Sequence, residues 1–267
     1  MHQTSLVCDL SVSAESACPS DGAQRLSVFT RPPLPGSIRS LEPCQSCDAR
    51  ADSVCNAIGD EHLARLAELA VVTRVEPGQT FIEEGDPADS FFNLTAGSAK
   101  LFKLLADGRR QITGFVARGQ FLGLAVSSSY AFSAEAIEPV RLCRFSRSRM
   151  FKLLADFPAL EHRLLEIASN ELVAAQEQML LLGRKTAHER VASFLQAETM
   201  RSAPCGRQRL TLHLPMGRGD IADYLGLTIE TVSRTLSRLR AAGLIDIPDA
   251  ATVLIRDPGR LASLAQG

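Results

Sequence analysis

From Val71 to about Arg149 the apolar residues fall in short runs such as "QTFIEEG", "SFFNLTAG", "SAKLFKLL", "RQITGFV", "QFLGLAV" and "VRLCRFS". Glycines at 78, 85, 97, 108, 119 and 123 separate them. Many short strands with closely spaced turns predict an antiparallel, jelly-roll-like β-roll. Gly85 and Gly97 stand where tight turns would need positive φ. After "DFP" (156–158) the period changes from two to between three and four. Leu165, Ala168, Leu172, Ala175, Met179 and Leu182 form one stripe with no charge in it, flanked by Glu166, Glu171 and Glu177. That stripe predicts a long helix over 158–185 with a heptad seam for a second copy of the chain. A helix packed only on its own domain would show similar apolar spacing.

The segment "RGDIADYLGLTIETVSRTLSRLRAAGLI" (218–245) predicts two helices joined at Gly226. Thr228 is a good N-cap for the second helix and Gly243 a stop. Val232, Leu236 and Leu239 supply its buried face, while Glu230, Ser233, Arg234 and Ser237 point away. A polar-fronted, apolar-backed second helix is what a helix-turn-helix lays in the major groove. Arg234 can donate twice to guanine, Glu230 can accept from cytosine, and Ser233 can read either edge. Arg218, Arg238 and Arg240 are better placed for phosphates, which position without specifying sequence. The following "LIDIPDAATVLIRD" predicts a two-stranded wing. An ordinary helical hairpin with solvated polar residues is the plain alternative.

Charge sharpens this picture only when mapped. The 267 residues carry a net charge of -1, yet residues 184–240 hold ten Lys/Arg against five Asp/Glu. Such asymmetry suits a domain facing double-stranded DNA. The architecture expected is therefore α+β. Residues 1–40, rich in Ser and Pro, read as a disordered leader; 41–157 as a cysteine loop plus β-roll sensor; 158–185 as the dimerisation helix; and 186–267 as a winged helix-turn-helix domain. No apolar run approaches the ~18 residues of a membrane span, and the N-terminal stretch lacks the basic start of a secretory signal. The expectation is a cytoplasmic protein with no membrane partner, in which clustered cysteines more often bind metal or do redox chemistry than form disulfides.

Three of the seven cysteines crowd into "EPCQSCDARADSVCNA" (42–57). The spacing C-x2-C suits a zinc module or an iron–sulfur loop, and alone it does not choose between them. Cys143 in "VRLCRFS" is a possible fourth ligand or a buried strand cysteine. Cys8, Cys18 and Cys205, without regular spacing to other ligands, read as non-ligands. An enzyme is disfavoured, since no glycine-rich nucleotide loop, nucleophile elbow or His/Asp pair is present.

A roll, a dimer helix and a winged helix-turn-helix in that order resemble the Crp/Fnr superfamily of bacterial transcription regulators over about residues 42–262. "GDIADYLGLTIETVSRTLSRL" is similar to its DNA-binding signature and "RRQITGF" to a roll segment of its Fnr branch. The cyclic-nucleotide branch carries a Gly-Glu-Leu segment followed by an Arg-Ser/Thr pair. Here Gln120 and Phe121 replace Glu and Leu, and no basic residue lies between Arg118 and Arg141, so no cyclic nucleotide is expected. The resemblance to the Fnr and FixK-like branch implies that Cys44, Cys47, Cys55 and Cys143 bind a [4Fe–4S] cluster. It further implies an oxygen-responsive activator that dimerises at low oxygen on a TTGAT-type palindrome read by Glu230, Ser233 and Arg234. Zinc, haem or nitric oxide, and thiol oxidation remain alternative signals. The spacing C-x2-C-x7-C is longer than in the best-known Fnr type, Asp48 adds a negative charge beside Cys47, and Ala175 stands where that type has a seam aspartate. "LLADGRRQ" (104–111) resembles the loop that family activators present to RNA polymerase, with Asp107-Gly108 at its tip; a solvated hairpin turn is equally compatible.

Overall fold

The computed structural model describes residues 44, 46–124, 128–201 and 210–267. The leader expected over 1–40, with Cys8 and Cys18, and the linker holding Cys205 lie outside the described residues.

The cysteine segment enters through two single-turn 3-10 helices, Val54–Ala57 and Asp60–His62, and a short helix α1 (Leu63–Leu69). Eight strands follow: β1 (Ala70–Val75), β2 (Thr80–Ile82), β3 (Ser90–Ala96), β4 (Ser98–Leu104), β5 (Arg110–Ala117), β6 (Phe121–Leu122), β7 (Ser133–Ala136) and β8 (Val140–Ser146). They form two antiparallel sheets ordered β1-β8-β3-β6 and β2-β7-β4-β5, which is the expected roll. Ile82, Leu94, Ala99, Val116, Ala134 and Leu142 fill the space between the sheets.

The alternation in "VRLCRFS" has a geometric outcome. Val140 and Leu142 join the core between the sheets, whereas Cys143 and Phe145 belong to a second cluster outside it. Side chains two apart share a strand face. This second cluster joins Val54 and Ile58 of the cysteine segment to Phe91 and Phe145 of the roll, and to Leu160 and Leu164 of the long helix. The 3-10 turn carrying Cys55 contacts that helix directly. Each fully buried aliphatic side chain at this junction contributes on the order of 1.5–3 kcal/mol.

Helix α2 (Arg147–Asp156) leads into α3 (Pro158–Arg184), whose proline occupies the first helical turn, where a missing N–H costs nothing. The ends of α3 are buried, Leu160 and Leu164 on the roll and Leu181 on the C-terminal domain. Its middle is bare: Leu165, Leu172 and Met179 are 64%, 60% and 65% exposed, with Ala168 and Ala175 exposed between them. Leu182 departs from the expected seam. It is half-buried and packs on the C-terminal core, because the stripe reaches the turn at Gly226 there.

The C-terminal domain contains α4 (Ala187–Arg201), β9 (Thr211–His213), α5 (Arg218–Leu225), α6 (Ile229–Ala241), β10 (Ile245–Asp246), β11 (Thr252–Ile255) and α7 (Pro258–Gln266). The wing expected as two strands is a three-stranded sheet ordered β10-β11-β9. Helices α4 and α7, unforeseen from the pattern, close the core around Leu195, Leu225, Leu236 and Leu261. The start of α7 was nonetheless written in "DPG": Asp257 accepts from the Arg260 N–H at 2.9 Å, with Pro258 in the first turn.

Gly97 makes the tightest turn of the roll, with φ +80° and an added Cβ lying 2.3 Å from the Pro139 carbonyl oxygen. Gly78 has the same φ, +80°, with open space around it. Both alanine substitutions meet the left-handed strain of about 1–3 kcal/mol, but only Gly97→Ala adds a backbone clash. Urea unfolding should therefore show Gly97→Ala clearly less stable than Gly78→Ala; equal midpoints would contradict this account of the turn.

Candidate metal centre and nucleic-acid interface

The cysteine segment is wound into successive turns. Arg50 N donates to the Cys47 carbonyl at 3.0 Å and Ser53 N to the Arg50 carbonyl at 3.2 Å. Ser53, almost wholly buried, caps the next turn by accepting from Cys55 N at 3.2 Å. The seven residues between Cys47 and Cys55 are thus occupied by a turn and a cap. The segment also presses on the roll: an added Cβ at Gly119 would meet the Asp52 side chain at 2.8 Å, and Arg118 pairs with Asp52 at 3.4 Å. Asp48 is exposed.

Cys143 sits on β8, the strand flanked by β1 and β3, in register with Val72 on one side and Asn93 on the other. Cys44, Cys47, Cys55 and Cys143 all line one cavity of about 780 Å³, together with Arg50 and Asn93. The Asn93 amide donates to the Cys55 sulfur at 3.9 Å. Asn93 and Arg50 are what sequence reasoning missed. An asparagine inside the apolar run "SFFNLTA" was the available signal, since a buried polar group needs a partner.

The thiols form one electrostatic group. Burial pushes Cys55 up to about 11, with the neighbouring Cys44 and Cys47 adding to it. Burial also pushes Cys143 up to about 12, followed by the other three sulfurs, and Cys44 rises through burial and Cys47 against a lowering pull from Arg50. Cys55 and Cys143 are therefore protonated at neutral pH without a bound cation, and loading one would expel their protons.

The donor set fits a soft, thiolate-preferring centre. Two buried polar atoms on the cavity wall, Arg50 Nε and Asn93 Oδ1, have no hydrogen-bond partner, and the two side chains supply N–H donors of the kind an anionic sulfur cluster accepts. Among the described residues no three His, Cys, Asp or Glu side chains converge on a single-ion site.

At the other end of the chain, Thr228 caps α6 by accepting from Thr231 N at 3.2 Å, and Gly226 takes the left-handed conformation at φ +61°. Glu230, Ser233, Arg234 and Ser237 are exposed along one side of α6, opposite the buried Val232, Leu236 and Leu239. Its own backbone N–H, then the Thr228 side chain, hold the Glu230 carboxyl below its usual range. Arg238 and Arg240 are exposed, and Arg218 is half-buried. Asp107 and Gly108 form the exposed tip of the β4–β5 hairpin, with Arg109 N donating to Asp107 at 3.0 Å.

The "RRQITGF" segment has a position the sequence did not reveal. Arg110 pairs with Asp220 and Asp223 of α5, both at 2.8 Å. Lys100 pairs with Asp220 at 3.1 Å and Glu135 at 3.0 Å, while Gln111 donates to the Asp223 carbonyl at 2.6 Å. Phe115, Phe194 and Tyr224 pack edge-on and tilted against one another beside them. The roll is thereby fastened to the helix that precedes the recognition helix.

The comparisons agree with this order of domains. Residues 189–264 match a Crp-like helix-turn-helix domain and residues 72–157 a cyclic nucleotide-binding domain. The chain is 44% identical to the transcriptional activatory protein AadR of Rhodopseudomonas palustris, over 82% of this chain and 91% of that one. It is 40% identical to the nitrogen fixation regulation protein FixK of Bradyrhizobium diazoefficiens, over 86% and 98%. The solved structure of FixK2 from Bradyrhizobium japonicum superposes with a TM-score of 0.69 at 37% identity, covering 73% of this chain and 96% of that one. With its roll, long helix and capped recognition helix in the same order, the chain belongs to the Crp/Fnr family and is a DNA-binding transcription regulator of its Fnr/FixK branch, not an enzyme.

Proposed function

We propose that this regulator is an oxygen-responsive activator of genes for anaerobic and microaerobic life. Cys44, Cys47, Cys55 and Cys143 would hold a [4Fe–4S] cluster at low oxygen. The observation that carries the reading is that thiols from two distant segments line a single cavity. Bound there, the cluster would supply an oxygen-labile cross-link between the cysteine segment and β8. The chain's own residues transmit its state: Val54 and Ile58 pack in one cluster with Leu160 and Leu164 of α3, so loosening the segment disturbs the helix.

Two chains pair through the bare middle of α3, at Leu165, Ala168, Leu172, Ala175 and Met179. Pairing sets two α6 helices about one DNA turn apart, ~34 Å, on a TTGAT-type palindrome. Glu230, Ser233 and Arg234 read bases, while Arg218, Arg238 and Arg240 hold phosphates. The Asp107-Gly108 tip is exposed and suits a contact with RNA polymerase. A cyclic nucleotide has no place in this reading: Gln120 is spent accepting from Ala117 N at 2.7 Å, and no Lys or Arg lies between Arg118 and Arg141.

Protein purified without oxygen should contain about four iron and four sulfide per monomer; one zinc without sulfide would replace this reading with a structural site. Arg234→Ala should cost about 1–3 kcal/mol and relax selectivity at one base pair, whereas Arg238→Ala should weaken all sequences alike and lower the salt slope by about one. Operator and scrambled-duplex titrations at several salt concentrations distinguish the two. Ala175→Asp should raise the dimer dissociation constant about tenfold, equivalent to ~1.4 kcal/mol, because like charges would face each other across the two-fold; an unchanged constant by ultracentrifugation would remove Ala175 from the seam.

A further inference from the structure

Asn93 is 1% exposed, sits on β3 opposite Cys143 in register, and donates its amide to Cys55. It therefore touches the thiol of the segment while standing beside the thiol of the strand. Its oxygen has no partner, an arrangement that costs stability when the group is buried. Phe91, two residues away on the same face of β3, is apolar and buried in the second cluster beside Cys143, so an aliphatic residue at 93 would have suited packing alone. Arg50 differs in that its orphan atom is a donor. One terminal nitrogen pairs with Asp60 and the other donates to the Ile58 carbonyl at 3.1 Å, yet its buried Nε has no partner. Both side chains line the cavity of the four thiols.

We propose that Asn93 and Arg50 are positioning and tuning residues for the iron–sulfur cluster, offering N–H groups and one positive charge to its sulfur core. This rests on the cluster reading given above. Hydrogen bonds and positive charge at the sulfurs stabilise the more negative, reduced state of a cluster and so raise its potential. Losing them makes the cluster easier to oxidise. The wall of the cavity then sets how much oxygen the regulator tolerates before it loses its cross-link.

The test uses full-length protein purified without oxygen: wild type, Asn93→Leu, Asn93→Gln and Arg50→Gln. Iron and sulfide are assayed first, then the midpoint potential of the cluster's one-electron couple and the rate at which its visible absorbance fades in air. Asn93→Leu, matched in size but without the amide, should retain iron and sulfide. Its couple should be displaced about tenfold toward the oxidised form, a fall of ~59 mV for one electron, and it should fade several-fold faster. Asn93→Gln, which keeps an amide, should lie nearer wild type. A structural defect alone would lower cluster content without moving the potential of the clusters that remain. Full loading of Asn93→Leu with unchanged potential and fading would overturn the inference and leave the cluster standing. Wild type without iron and sulfide would instead overturn the reading beneath it. If Asn93→Leu does not fold or load, Arg50→Gln decides: a lowered potential supports the tuning wall, an unchanged one refutes it.

Discussion

The constraint on which the rest of this molecule depends is the junction at the turn Val54–Ala57. One face of this segment carries Cys55 toward the thiol cavity, and Val54 and Ile58 lie in the same apolar cluster as Leu160 and Leu164 of the long helix. The turn is held by Ser53, which is buried and caps it. A short piece of chain thus lines one cavity with Cys143 of β8 and the segment's other cysteines and touches the helix that carries the exposed stripe. The segment and α3 thus share one close-packed interior, and such interiors do not deform smoothly.

A second fastening lies farther along the chain. Arg110, Lys100 and Gln111 bind the roll to α5 through Asp220 and Asp223, and Arg190 ties the end of α3 to the helix-turn-helix by donating to the Leu182 and Leu225 carbonyls, each at 2.9 Å. The long helix is consequently buried at both ends and bare between them. Sensor and reader meet it at opposite ends, and the bare stripe is the surface that pairing would cover. A shift of a few kcal/mol between two packings is enough to move such an equilibrium most of the way.

Much of this was legible from residue order because local rules and tertiary packing agreed. The period of two in "VRLCRFS" and the period near 3.5 from Leu165 to Met179 both survive in the fold, as do the Thr228 cap and the Gly226 turn. What stayed hidden depends on contacts between distant segments. Nothing in "RRQITGF" announces that Arg110 reaches Asp220, 110 positions away, and Leu182 fits the heptad perfectly well until the C-terminal domain claims it. The strand β9 is too short, three residues, to declare itself without its partner β11. In the thiol site, candidate ligands were suggested by spacing and resemblance; the asparagine in "SFFNLTA" was visible as an oddity, but its place opposite Cys143 needed the strand register, and that of Arg50 the folded cavity.

The most direct test follows one anaerobic preparation through exposure to air, recording cluster absorbance and affinity for a TTGAT-type operator on the same samples. Operator affinity should fall in step with the cluster signal and return when the cluster is rebuilt. Affinity that holds constant while the cluster disappears would contradict it.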